Sequence, residues 1–190
     1  MKPVVGLAFG GSFCTFRKTI DALKLLTERF EVVPIFSFAS YETNTRFGKA
    51  EDFRAEVETI CGRPVLHTLA EVEPFGPKKQ LDLLIVAPCT GNTLGKLANG
   101  IADTPATFAC KAHLRNGRPV LLAISTNDGL TASAENIGRL LNRKHYYFVP
   151  FGQDSPQGKP YSLVADFSLL PLAAESALLG QQLQPILRQG

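Results

Sequence analysis

The chain has 190 residues, a formal net charge of +3 and 19% charged residues. At about 150 residues per domain this length suits one domain, spanning 1–190, and such a domain buries roughly 70% of its unfolded surface without disulfide or metal staples. The mild, unclustered positive charge excludes an extended basic patch for nucleic acid and favours anionic small ligands. Cys14, Cys61, Cys89 and Cys110 are widely spaced with no CxxC pair. No metal site is therefore expected, and reduced thiols in a cytoplasmic protein fit best. Met1-Lys2-Pro3 leads straight into strand-like sequence, so no signal peptide is expected, and no apolar run reaches the length of a membrane span.

Val4–Phe9 reads as a first buried strand. The turn Gly10-Gly11-Ser12-Phe13-Cys14-Thr15 follows, then a helix from Phe16 to about Phe30 that turns Phe16, Ile20, Leu23 and Leu26 to the core. A glycine pair and a hydroxyl between strand and helix either merely connect the two or let backbone N–H groups meet an anion at the positive helix end. Glu31–Phe36 is a second strand with Ser37 and Phe38 at its end. Residues 39–49 form a polar loop, long enough to be functional on a ligand edge. Within it Arg46 and Lys49 either bind a carboxylate or phosphate or pair with Glu51 and Asp52. A helix over Ala50–Cys61 ends at Gly62, and Val65-Leu66-His67 makes a brief third strand. His67 at its end is either structural or an acid–base group.

Glu73–Lys79 is a proline-rich loop or short helix leading to the central strand, Leu83–Ala87, which Pro88 ends because it has no N–H to donate. Thr90 or Asn92 caps a helix carrying Leu94, Leu97 and Ala98, and Gly100 closes it. Thr104 caps a helix begun by Pro105 and running to Leu114, with His113 and Arg115 complementing its dipole. Pro119–Ser125 is another buried strand, Ser125–Gly129 a polar turn, and about 132–143 a helix. His145–Pro150 is a last strand, 151–161 a Gly/Pro-rich loop or flap, and Ser168–Leu179 a final helix before a short tail.

Strands alternating with helices imply a three-layer, doubly wound α/β fold of Rossmann or flavodoxin type with a parallel sheet. All strand C-termini then share one edge, where such folds bind ligands. The turns after the first, central and Pro119–Ser125 strands bring glycines, the hydroxyls of Ser12, Thr90, Thr93 and Ser125, and the amides of Asn92 and Asn127 to that edge. This inventory suits a phosphorylated cofactor with a polar heterocycle. No pair of carboxylates converges for acid hydrolysis, and Cys89, with no histidine nearby in sequence, reads as a small buried residue beside the ligand.

Pro88-Cys89-Thr90-Gly91-Asn92-Thr93, with Lys96 and Ala98–Asp103, resembles the Pro-Ala-Ser-Ala-Asn-Thr motif of the homo-oligomeric flavin-containing cysteine decarboxylases. Gly10-Gly11-Ser12 resembles that superfamily's FMN-phosphate turn. Within the superfamily, residues 11–16, 44–53, 87–99, 111–115, 123–130 and 148–154 and the Gln184-Pro185 tail resemble the dipicolinate synthase B-subunit family. The resemblance implies oxidation of dihydrodipicolinate to dipicolinate during sporulation, with FMN here and NAD(P) on a partner A subunit. It implies an FMN site of Gly10, Gly11, Ser12, Phe13, Ser37, Cys89, Thr90, Asn92, Thr93, Ser125 and Thr126, and a homo-oligomer, trimeric or dodecameric. For catalysis the expected residues are Asn127 and His67, and for the substrate carboxylates Arg46 and Lys49. The decarboxylases' Pro-x-Met-Asn-x-x-Met-Trp clasp is replaced by Ser125-Thr126-Asn127-Asp128-Gly129-Leu130, and His67 lies farther upstream of Pro88 than the decarboxylase histidine. Both departures argue against thiol-substrate decarboxylation. The alternatives are a flavin-dependent decarboxylase of a cysteine-containing substrate and a non-catalytic scaffold for the A subunit.

Overall fold

The computed structural model describes residues 2–188; Met1 of the expected leader-free start and the last two residues of the expected tail lie outside them. Strand β1 (Val4–Phe9) is followed by helix α1 (Phe16–Arg29), which buries Phe16, Ile20, Leu23 and Leu26, and by β2 (Glu31–Phe36), parallel to β1. A short helix α2 (Phe38–Glu42) precedes α3 (Ala50–Cys61), whose C-cap Gly62 is left-handed at φ 64°. After α4 (Leu69–Val72), β3 (Leu83–Cys89) enters beside β1 with every residue buried, as its unbroken apolar run requires. Helices α5 (Gly91–Ala98) and α6 (Pro105–Leu114) lead to β4 (Val120–Thr126), parallel to β3. Helix α7 (Ala134–Leu141), strands β5 (Tyr146–Phe148), β6 (Phe151–Ser155) and β7 (Lys159–Ala165), and helix α8 (Leu170–Leu178) complete the chain. The sheet order is β2-β1-β3-β4-β7-β6, with β5 also beside β4.

The free edge of β4 is shared. Val120–Leu122 pairs in parallel with β5, while Ser125 and Thr126 pair antiparallel with β7. The sheet is therefore mixed: a parallel core, as expected, extended by a hairpin where the sequence suggested a loop. Phe151, Leu163 and Ala165 are buried and anchor that hairpin, but Gly152, Pro156, Gly158 and Pro160 hide its alternation. Three other expectations change. Pro88 does not end its strand: β3 runs on to Cys89 through a register shift after Val86. Residues 65–67 make only a bridge, Leu66 to Ile35, on the outer edge of β2. The polar loop holds α2, whose Ser37 cap accepts from the Ser40 N–H at 3.2 Å while Ser40 Oγ donates to the Phe9 carbonyl at 3.0 Å.

Beneath the ends of β1 and β2, Phe9, Phe16, Phe36 and Phe53 pack ring against ring, with centroids 4.9 Å apart for Phe9–Phe36 and 5.0 Å for Phe16–Phe53. This cluster supports the turn that follows β1. Gly10 begins that turn with its N–H donated to the Pro88 carbonyl at 3.1 Å. A Cβ at Gly10 would stand 2.3 Å from that same oxygen, whereas one at Gly11 would meet only the Ala39 methyl at 3.4 Å. Gly10→Ala is thus expected to destabilise the fold by about 3 kcal/mol or to abolish it, and Gly11→Ala by less than about 1 kcal/mol. Urea unfolding of the two variants checks the contrast.

His113 corrects the sequence reading that made it a partner of the helix dipole. It is fully buried, and its Nε2–H donates to the Pro119 carbonyl at 2.9 Å. Burial pushes its pKa down to about 4, so the ring is neutral at pH 7. Because the folded pKa lies below the ordinary value of about 6.5, the stability it contributes is complete above pH 6.5 and is lost as pH falls toward 4. The urea midpoint of the native chain should accordingly fall over this window, and its advantage over His113→Gln should shrink with it. A constant difference from pH 7.5 to 4.5 would contradict this assignment.

Candidate functional site

The carboxyl edge of the sheet carries two clefts that share Gly11 and Thr90. One, of about 460 Å³, lies between the ends of β2 and β3 and is lined by Ser37, Phe38, Ala39, Asn92, Thr93, Lys96 and Thr104. The other, of about 430 Å³, lies over β4 and the hairpin and is lined by Ser12, Thr15, Ser125, Thr126, Asn127 and Ser162 together with Cys14, Lys18, Asp154, Lys159 and Val164. Both are of a size that takes a small molecule.

The first cleft is built from helix starts. Ser37 caps α2, Thr90 caps α5 by accepting from the Thr93 N–H at 3.2 Å, and Thr104 caps α6 by accepting from the Thr107 N–H at 3.2 Å. Helix geometry leaves the N–H groups of Phe38, Ala39, Gly91 and Asn92 without intrahelical partners. Each helix end also presents partial positive charge, worth about 0.3–1 kcal/mol toward an anion. Lys96 adds a full charge, shared with Asp103 at 2.7 Å; that hydrogen bond holds the Asp103 carboxyl below its usual range. The cleft lining contains no carboxylate, so this donor set suits a phosphate.

The second cleft is held open by hydroxyl bridges. Ser125 Oγ at the end of β4 lies 2.9 Å from Ser12 Oγ and 3.1 Å from Thr15 Oγ1, so the turn after β1 reaches across the end of β3 to β4. The following turn is pinned by Asp128, whose carboxylate accepts from Thr126 and, at 2.9 Å, from Ser133. A Cβ at Gly91 would come within 2.8 Å of those three polar groups, which is why a glycine stands at the start of α5.

Of the residues expected from sequence, Gly11, Ser12, Ser37, Thr90, Asn92, Thr93, Ser125, Thr126 and Asn127 are brought together in these clefts. Six are not. Gly10 is buried and its N–H is already used by Pro88. Phe13 stacks on Phe16 at 5.8 Å. Cys89 is wholly buried at the end of β3, opposite Ile124, and burial raises its thiol pKa well above the ordinary value. His67 sits outside β2, its ring 3.7 Å from the Tyr41 ring and its Nδ1 3.5 Å from Glu71. Arg46 lies over the exposed Phe47 ring at 4.9 Å, and Lys49 occupies the start of α3; neither lines a cleft.

A family model described as Flavoprotein matches residues 1–160. The chain belongs to the Flavoprotein family. It is 44% identical over 184 residues to the dipicolinate synthase B subunit of Bacillus subtilis (strain 168), across 96% of this chain and 92% of that relative. The crystal structure of the dipicolinate synthase B subunit from Bacillus halodurans C matches with a TM-score of 0.90 at 41% identity, over 100% of this chain and 99% of that one. The FMN-binding protein AtHal3 matches at 19% identity with a TM-score of 0.66, over 92% and 96% of the two chains, a likeness of fold alone.

Sequence reasoning on this Flavoprotein-family chain missed Lys18, Lys96, Thr104, Lys159 and Ser162. Two of these were signalled: Lys96 follows Asn92 by four residues and Lys18 follows Thr15 by three, spacings that share a helix face. Lys159 and Ser162 belong to the hairpin and needed the fold. Because Asp128 secures two side-chain donors at once, Asp128→Ala is expected to cost about 2–3 kcal/mol of stability. Thermal or urea unfolding measures this, and a loss below about 0.5 kcal/mol would show that the turn holds without it.

Proposed function

We propose that this chain is the B subunit of a dipicolinate synthase: it binds FMN at the carboxyl edge and takes part in oxidising dihydrodipicolinate to dipicolinate with a nicotinamide-binding A subunit that carries NAD(P). The observation that carries this reading is the pair of adjoining clefts, one furnished with helix starts and Lys96 for a phosphate, the other with hydroxyl and amide groups for a polar ring. Family membership and the identity to B-subunit relatives favour the same assignment, and a protein designated the B component of a synthase has a partner chain. The FMN binding named for AtHal3, on the same fold, agrees with it.

The phosphate would be held by the N–H groups of Phe38, Ala39, Gly91 and Asn92, by Thr93 and by Lys96, rather than by Gly10-Gly11-Ser12 as the resemblance implies, since the Gly10 N–H is taken by Pro88 and the Ser12 hydroxyl is turned to Ser125. Ser12, Ser125 and Thr126 would orient the ring edge, their hydroxyl hydrogens turning to donate or accept as the ring requires. When bound, FMN supplies a two-electron acceptor. Asn127, exposed at the mouth of the second cleft, would donate its amide N–H to a substrate carboxylate. As in the related decarboxylases, we place this work in a homo-oligomer in the cytoplasm of a sporulating cell.

Flavin fluorescence tests the reading. FMN should bind and be quenched, and Asn92→Ala should weaken binding about tenfold with the melting temperature unchanged, since that side chain is exposed and caps no helix. Dipicolinate formation in the presence of the A subunit should require FMN. Absence of FMN binding would overturn the flavin reading in favour of a scaffold, and FMN-independent turnover would overturn its role in the reaction.

A further inference from the structure

A planar dicarboxylate needs cations placed to meet it, and the two proposed from sequence are elsewhere: Arg46 lies over Phe47 and Lys49 begins α3. The second cleft holds two others. Lys18 comes from α1, one turn beyond Thr15, and Lys159 from the start of β7, opposite Ser155 at the tip of the hairpin whose Leu163 and Val164 pair with Thr126 and Ser125. They belong to separate elements that line the same 430 Å³ space, together with Asn127 and the Ser12 hydroxyl.

We propose that Lys18 and Lys159 are the cationic contacts for the two carboxylates of a planar dianionic substrate, a pyridine- or dihydropyridine-dicarboxylate, in this cleft. The proposal rests on the reading of this edge as a flavin site, with the flavin ring over Ser12 and Ser125 and the dicarboxylate beside it in the same cleft. Among the described residues Lys18 makes no ion pair and is free to accept a ligand's carboxylate. Lys159 is paired with Asp154 at 2.9 Å, and Asp154 is the only carboxylate among the residues lining the cleft. That pair is exposed, and exposed lysine–aspartate pairs contribute little. Asp154 thus occupies the place of a ligand carboxylate and gives way to one. The Asp154 hydrogen bond raises the pKa of Lys159 in the unliganded cleft.

The test is calorimetric titration of pyridine-2,6-dicarboxylate into the FMN-loaded protein, with FMN affinity measured separately for each variant. Lys18→Met and Lys159→Met should each weaken dicarboxylate binding about tenfold or more while leaving the melting temperature and FMN affinity unchanged. Asp154→Asn should tighten binding several-fold, a gain that loss of a merely structural residue would not produce. Pyridine-2-carboxylate should bind at least tenfold more weakly than the dicarboxylate in the native protein. Dicarboxylate binding retained in both lysine variants, or absent from the native protein, would overturn the proposal. So would inorganic phosphate competing with equal affinity at matched ionic strength, which would mark a general anion site. If FMN does not bind, the flavin reading falls, and the same titrations on flavin-free protein decide the lysine assignment independently.

Discussion

The hydrogen bond from the Gly10 N–H to the Pro88 carbonyl is the constraint on which the rest of the edge depends. It joins the ends of β1 and β3 just past their last regular pairing, and only a residue without a side chain admits it. With those ends joined, the turn 11–15 and the Thr90 cap stand side by side, and both clefts take them as a common wall. The Ser12–Ser125–Thr15 hydroxyls then link the turn after β1 to the end of β4, across the end of β3. Below, the four-phenylalanine cluster keeps the turn from sinking into the core, since rings in such contact leave no space to collapse into.

Electrostatics follow from topology. A parallel sheet sends every helix start to the edge where its strands end, so α2, α5 and α6 all present positive ends there. The acidic residues near this edge are either engaged or set aside: Asp103 with Lys96, Asp154 with Lys159, Asp128 with Thr126 and Ser133. A net charge of only +3 therefore coexists with a strongly anion-seeking rim. A cavity of similar size, lined by Leu97, Ile101, Leu114 and Tyr146 together with Lys111, Arg143, Lys144 and His145, borders the opposite edge, and the turn hydroxyls do not line it.

The parallel core was legible because its strands are continuous apolar runs and its helices are well punctuated, as with Thr104-Pro105 and Gly62. The three glycine or hydroxyl turns were legible for the same reason: their place between strand and helix set their edge. The hairpin was not, because Gly152, Pro156, Gly158 and Pro160 interrupt the alternation of its buried residues, and with it went Lys159 and Ser162. Arg46 and Lys49 were misplaced because a long polar loop does not say which way it folds; α2 and the Thr45–Gly48 turn carry it away from the clefts. His67 was misplaced because its segment pairs outside β2, a strand removed from β1, where Tyr41 takes up its ring.

The central claim is that the phosphate of a flavin nucleotide lodges among the starts of α2, α5 and α6, with its ring over Ser12 and Ser125. A crystal structure of the chain with FMN tests this most directly. The account predicts phosphate oxygens within hydrogen-bonding distance of the N–H groups of Ala39 and Asn92, and the ring in the cleft bounded by Asn127. Density for FMN at any other surface, or an empty Ser37–Thr104 cleft beside a bound ring, would contradict it.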